Sequence, residues 1–387
     1  MFLHEFYAII STKLFPLLSA LIGFGGIIAI HESGHFLFCK LFGILTPTFS
    51  IGFGPELFRK QIGSTNFRLA LIPLGGYVEM AGSAEIGQGK QEYAQATGDI
   101  SYDSKPYWQK FLVSMGGILF NMIFAYLVFC GLFFWGTSDK QAIIIADVLK
   151  DSPAQLAGIK PGDAILAINK IPLLDHEDNL VENAQDILLN AIRAHPNQKI
   201  GLTIIPADQS DEQDIAVPLG SRQEEGQTIG SFGAKLRAPL PKLPFFKAIA
   251  AGVSYTNQNI RLNIEGIKRI FTQGSLQGVG GPLVIASTTF SSAQNGLVPL
   301  LIFLALMSIN LALLNVLPIG ALDGGQLLFV TIEALIRRRL SQTLKNIINL
   351  ASIFAFIGLT LFLSYRDFLH FFGERLAPLY ERLLNLF

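Results

Sequence analysis

The chain has 387 residues, of which 50% are hydrophobic and only 15% charged, with 31 phenylalanines and a mean hydropathy of +0.45; soluble domains carry roughly 25% charged residues, so an ordinary soluble protein is excluded. Lys+Arg and Asp+Glu are 29 each, so the chain lacks the basic excess that marks a nucleic-acid binder, and no nucleic acid is expected among its partners. The two cysteines, Cys39 and Cys130, lie in or beside apolar stretches, which argues against a disulfide framework.

Four stretches are long and apolar enough to cross about 30 Å of hydrocarbon, which takes roughly 20 helical residues. The first (1–41, apolar from Leu14) is interrupted by His31, Glu32 and His35. Lys13 is the only basic residue of its opening stretch, and no small-residue cleavage site follows before His31, so it reads as a retained span rather than a signal. Residues 42–110 form a loop in which Phe67 to Gly82 read as two strand-like runs around Pro73 to Gly76, a membrane-associated β-hairpin. Its exposed edge is suited to taking a substrate as an added strand, with a purely structural hairpin as the alternative. The second span (111–138) has no Asp, Glu, Lys or Arg from Phe111 to Ser138. Residues 139–238 then read as soluble sequence, with a strand at Ala142 to Leu149, a short helix capped at Ser152-Pro153 and a turn and strand from Gly162-Asp163. A helix carrying Ile187, Leu188, Ala191 and Ile192 and a strand at Ile200 to Ile205 follow. The run D-S-P-A-x-x-A-G-I-x-P-G-D-x-I resembles a PDZ domain. Gly230-Ser231-Phe232-Gly233 resembles the loop that grips a peptide carboxylate in such domains, placed last as in circularly permuted bacterial versions. Peptide C-termini are the partner this resemblance implies.

Residues 239–296 read as an amphipathic linker on the membrane surface, with Ile249, Val253, Ile260, Ile264, Ile267 and Ile270 among polar residues. A third span (297–325), a loop (326–345), an uncharged fourth span (346–365) and an amphipathic C-terminal helix (366–387) complete the chain. Lys and Arg concentrate in 42–110 and 326–345, which makes those loops cytoplasmic and places both termini and 139–296 outside. The expected fold is thus a polytopic α-helical membrane protein of four transmembrane helices. It carries a cytoplasmic-side β-hairpin element and one extracytoplasmic PDZ domain (α+β).

His31-Glu32-Ser33-Gly34-His35 matches H-E-x-x-H, in which two histidines one turn apart face a metal while the glutamate reaches its water. Inside a span each ionisable group costs roughly 2.5–3.5 kcal/mol by insertion scales, so three in one turn imply a partner or a cavity. A catalytic zinc needs a third protein ligand. The run from Asn315 through Pro318 to Asp323-Gly324-Gly325 puts an acid at a broken helix, which at membrane depth survives only around a cavity or within protein. Asp323 is therefore the expected third ligand.

These two motifs, H-E-x-G-H in a first span and N-x-x-P-x-x-x-x-D-G-G in a third, resemble the site-2 protease family of intramembrane metalloproteases, in its bacterial sigma-E regulator branch. The likeness extends through Phe49 to Pro55, Pro73 to Val78, the PDZ-like segment and Gly280-Gly281-Pro282. It implies a metalloendopeptidase holding one Zn²⁺ per chain on His31, His35 and Asp323, with Glu32 as the base and Asn315 meeting the substrate backbone or oxyanion. Gly75, Gly76, Tyr77, Asn121 and Pro318 are the implied substrate contacts. It further implies a bacterial inner-membrane, multi-pass enzyme whose active site lies toward the cytoplasm. Its substrates are single-span membrane proteins in the lipid bilayer, such as anti-sigma factors or signal-peptide remnants. Two departures stand out: there is room for a single PDZ domain, and the G-P-x-x-N of the second span is here Gly117-Ile118-Leu119-Phe120-Asn121, without the proline. An inactive scaffold and a metal transporter are the alternatives. The intact His31, Glu32, His35 and Asp323 weigh against the first, and a peptide-binding module weighs against the second.

Overall fold

The computed structural model describes residues 14–83, 93, 95–137, 142–175, 180–181, 184–209, 211–224, 227–237, 239–274, 276 and 279–384; Lys13 and most of 84–94 lie outside them. In chain order the elements are α1 (Phe15–Leu41), β1 (Thr48–Ile62), β2 (Thr65–Val78), α2 (Tyr107–Trp135), β3 (Ile143–Val148), α3 (Pro153–Leu156), β4 (Ala164–Ile168) and β5 (Ile171–Pro172). They continue with α4 (Ala184–Ala194), β6 (Lys199–Ile205), β7 (Gln213–Pro218), β8 (Gly220–Glu224), β9 (Gln227–Ser231) and β10 (Ala234–Arg237). The last five are α5 (Phe245–Gln273), α6 (Pro282–Gln294), α7 (Leu297–Val316), α8 (Asp323–Ile336) and α9 (Gln342–Leu384). The chain divides into two compact units, Met1–Phe129 with Gly252–Phe387, and Cys130–Ala251.

In the first unit, α1, α2, α7 and the first part of α9 (Gln342–Leu369) are each long and apolar enough to cross a membrane. Helices α1 and α2 meet where neither has a side chain. A Cβ on Gly34 would stand 2.0 Å from the Gly116 carbonyl oxygen, and one on Gly116 would stand 2.6 Å from that of Gly34. Small residues at a crossing let two backbones approach, which is how helices associate where lipid offers no hydrophobic drive.

The hairpin of β1 and β2 docks on α1 through Phe36, the residue after His35, whose ring meets Phe49 at 5.4 Å and Phe67 at 5.6 Å edge-on. The chain reverses at Gly63, which the sequence reading passed over and whose φ of +59° suits glycine. It doubles back again within β2 around Pro73 to Gly76, where the sequence reading set its turn, since residues 67–69 and 76–78 pair with Phe49 to Ile51 in opposite directions. The start of β1 is held between two stretches of β2: Phe49 partners Phe67 and Val78, Ser50 partners Arg68 and Tyr77, and Ile51 partners Leu69 and Gly76.

Three further boundaries differ from the sequence reading. The third span stops at Val316, and Asp323 opens a separate helix in what read as the span's end and a loop. A Cβ on Gly324 would stand 2.4 Å from the Leu317 carbonyl oxygen and one on Gly325 2.2 Å from that of Ile319, so the two glycines permit this tight return. Within the supposed surface linker, α6 packs in the bundle through Ala293, which clusters with Ala20, Ile27, Leu300 and Leu304. Three of its hydroxyls are satisfied on its own backbone, Ser287 and Thr288 on Val284 and Thr289 on Ile285. Finally, the fourth span and the C-terminal helix are one helix, α9.

The second unit is built around a sheet of order β10-β3-β4-β6-β7, with β5 on β4 and a separate β8–β9 hairpin. Period-two alternation turns Ile200, Leu202 and Ile204 inward from β6. Helix α4 adds Ala184, Leu188 and Ile192, spaced by four, to the same core. Ser152 caps α3 by accepting from the Gln155 N–H at 3.3 Å. Buried Asp163 accepts from the backbone of Lys160 and Ala207, which fixes the Gly162-Asp163 turn.

Candidate metal centre

His31 and His35 lie one turn apart on α1 and are both buried, 8% and 7% exposed. Their Nε2 atoms are 3.3 Å apart, and each faces Asp323 Oδ2, at 3.1 Å from His31 and 3.4 Å from His35. The three ligand atoms lie within 4.8 Å of one another. With metal–nitrogen and metal–oxygen bonds near 2.0–2.1 Å, the edges of a tetrahedral zinc site measure about 3.4 Å, so the observed spacings fit three corners of one. The chemistry of the set agrees. His35 Nδ1 donates to the Val113 carbonyl at 2.8 Å, which leaves its Nε2 lone pair pointing inward. Asp323 Oδ2 is buried and has no hydrogen-bond partner among the described residues. Lone pairs converging in a buried place repel one another, and a cation is what satisfies them.

The second span supplies the supports. The Asn121 amide stands 3.1 Å from His31 Nδ1, and its buried Oδ1 has no hydrogen-bond partner. A half-turn of the amide pairs that oxygen with the Nδ1–H, the tautomer that frees Nε2 for a metal. The Asn121 carbonyl in turn accepts from Ser308 on α7 at 3.0 Å. Asn121, expected as a substrate contact, is fully buried against His31. Gly117 has a role that the sequence reading passed over. A Cβ there would stand 2.5 Å from His31 Cε1 and His35 Nε2, inside the roughly 3.5–4.0 Å of ordinary contact. Gly117→Ala is therefore expected to displace both rings and weaken zinc retention about 10–100-fold, as loss of a ligand's orienting partner does. Competition with a chelator measures it, and wild-type retention would remove Gly117 from the account.

Glu32 lies half-buried beside β2, its Cγ 3.0 Å from where a Cβ on Gly76 would stand. Gly75 has φ +148° and leaves room for Phe53. Tyr77 stacks on Phe53 at 6.4 Å, and its hydroxyl accepts from Arg68 at 3.1 Å. Asn315 is buried at the end of α7, with Pro318 in the return leading to Asp323. In the other unit, Gly230 and Ser231 end β9, paired with Ser221 and Gly220. Phe232 is buried in the core, where its side chain packs the domain, and its carbonyl accepts from the Ala154 N–H at 3.0 Å. Gly233, at φ +76°, leads into edge strand β10.

Apolar helices enclosing two imidazoles, a carboxylate and a neighbouring glutamate define the class of metal-dependent hydrolases built on H-E-x-x-H. Comparison with known proteins places the chain more closely: residues 19–359 match Peptidase family M50, and the chain belongs to that family. It is 32% identical over 348 residues to a protein of Helicobacter pylori, covering 87% of this chain and 94% of the relative. It is 31% identical over 353 residues to one of Campylobacter jejuni (90% and 92%) and 28% over 351 residues to one of Clostridium perfringens (90% and 97%). All three are named "Putative zinc metalloprotease".

Proposed function

We propose that the chain is an intramembrane zinc metalloendopeptidase of the site-2 type. It cuts peptide bonds within the transmembrane segments of single-span proteins such as anti-sigma factors and signal-peptide remnants. The observation that carries this reading is the convergence of His31, His35 and Asp323 between apolar helices, with Glu32 alongside. His31, His35 and Asp323 would hold one zinc per chain, which would acidify a bound water and polarise the scissile carbonyl. Glu32 accepts the attacking water's proton and returns it to the leaving amine. Asn315 steadies the substrate backbone or the oxyanion.

A transmembrane helix hides its peptide bonds, so the substrate must unwind before it is cut. Among the described residues, 76–78 each have a single strand partner, and Gly76 lies against Glu32. A substrate strand added to that free side runs past the base, with Gly75, Gly76 and Tyr77 along it. In the second unit, the edge strand β10 and the loop 230–233 support a single PDZ-type site for peptide C-termini, and the branch nearest in design is the sigma-E regulator proteases. On this reading the enzyme sits in the bacterial inner membrane, and the concentration of Lys and Arg in 42–110 and 326–345 supports an orientation with that unit outside. Under this topology, cysteines introduced at Arg338 resist an impermeant thiol reagent in intact cells, while one at Gln209 reacts. Labelling at Arg338 and not at Gln209 would invert it.

Reconstitution in liposomes with a single-span protein tests the function itself. Cleavage without zinc flux supports the protease. Binding without cleavage supports a scaffold, and flux supports a transporter.

A further inference from the structure

A second concentration of charge lies away from the metal centre. A cleft of about 200 Å³ opens between the start of α2 and the end of α8, lined by Lys105, Lys110, Glu333, Arg337, Arg338 and Arg339 among others. Its walls are fixed: the hydroxyls of Tyr107 and Thr331 are 3.3 Å apart, and Arg339 donates to the Asp103 carbonyl at 3.3 Å. The acidic groups at the cleft are already engaged. Glu333 lies 2.7 Å from Lys345 Nζ and accepts from the Leu340 N–H at 2.9 Å. Asp103 is shared by Arg339 at 3.4 Å and Lys110 at 3.9 Å. Among the described residues, Lys105, Arg337 and Arg338 have no ion pair, and the two arginines are exposed. Tyr107 and Trp108, 40% and 54% exposed at the start of an apolar helix, set the cleft at the level where aromatic belts meet lipid headgroups.

We propose that this cleft binds the phosphate of an anionic phospholipid, whose headgroup bridges α2 and α8. A cytoplasmic surplus of Lys and Arg orients a membrane protein wherever the residues fall. Here they gather instead around a recess between two helices, the arrangement that holds anionic headgroups. The bridge also bears on the metal centre. Helix α2 carries Val113, Gly117 and Asn121, and α8 begins at Asp323, roughly 20 Å from its far end at 1.5 Å per residue. A bound headgroup therefore ties the helix of the third ligand to the helix that orients the other two. The inference rests on the membrane assignment of these helices and not on proteolysis, and its test requires no cleavage.

The full chain, purified in detergent, is mixed with phosphatidylglycerol or phosphatidylcholine, and retained lipid is counted by native mass spectrometry. Phosphatidylglycerol is expected to be retained in preference. Affinity should fall about fivefold for Arg338→Gln and on the order of a hundredfold for the triple change Lys105→Gln, Arg337→Gln, Arg338→Gln. The single variant carries the test if the triple one unfolds in phosphatidylcholine. Arg59→Gln with Lys60→Gln, exposed cations on β1 outside the cleft, should keep wild-type retention. Equal retention of the two lipids, or equal loss in the β1 variant, would overturn the site. Displacement of phosphatidylglycerol by inorganic phosphate alone would overturn the lipid as its ligand.

Discussion

Glu32→Gln is expected to cut the rate of cleavage by about 10²- to 10⁴-fold, the usual loss when a positioned general base is removed, while zinc content and folding are unchanged. The residue adjoins two proposed ligands on α1 but is not one of the three whose atoms converge, and glutamine keeps its shape. Substrate should still enter, because capture along residues 76–78 depends on backbone. The variant should therefore accumulate a substrate complex that co-purifies while releasing almost no product. Cleavage near the wild-type rate would show that Glu32 is not the base.

Removing a ligand acts one step earlier. His31→Ala, His35→Ala and Asp323→Ala should each lose nearly all zinc after dialysis against a chelator, because a catalytic zinc rests on three protein ligands and two hold it poorly. Asp323→Ala is the informative member of the set. Its carboxylate comes from a different helix, so its loss leaves α1 and the H-E-x-x-H turn intact. Full zinc in Asp323→Ala would assign the third ligand elsewhere.

What was legible in the sequence was the chemistry confined to one turn or one break. Two histidines four apart on a helix share a face whatever surrounds them, so His31 and His35 needed no tertiary knowledge. Asp323 was legible because an acid after a broken apolar helix demands an explanation. The supports were not legible, since the Val113 carbonyl, Gly117 and Asn121 matter only through the angle at which α2 crosses α1. The Gly116-Gly117 pair was the available signal, because adjacent glycines inside a span point to a close approach. The reversal around Pro73-Leu74-Gly75-Gly76 was legible from its turn composition, whereas the one at Gly63-Ser64, with a single glycine, was passed over. Helix α6 was read as surface because it was taken together with the amphipathic stretch from Ile249 to Ile270, although Ala293 packs in the bundle. Asp367, within the stretch read only as an amphipathic C-terminal helix, is buried and accepts from the N–H groups of Gly281 and Val284, capping α6 from a distant part of the chain.

The central claim is that the metal held by His31, His35 and Asp323 cuts a peptide bond inside the membrane. The most direct measurement is the mass of the products formed from a single-span protein in bilayers, with and without a zinc chelator. The account predicts a cut within the apolar segment, abolished by the chelator and restored by added zinc. Products ending outside that segment, or formed equally in the presence of the chelator, would contradict it.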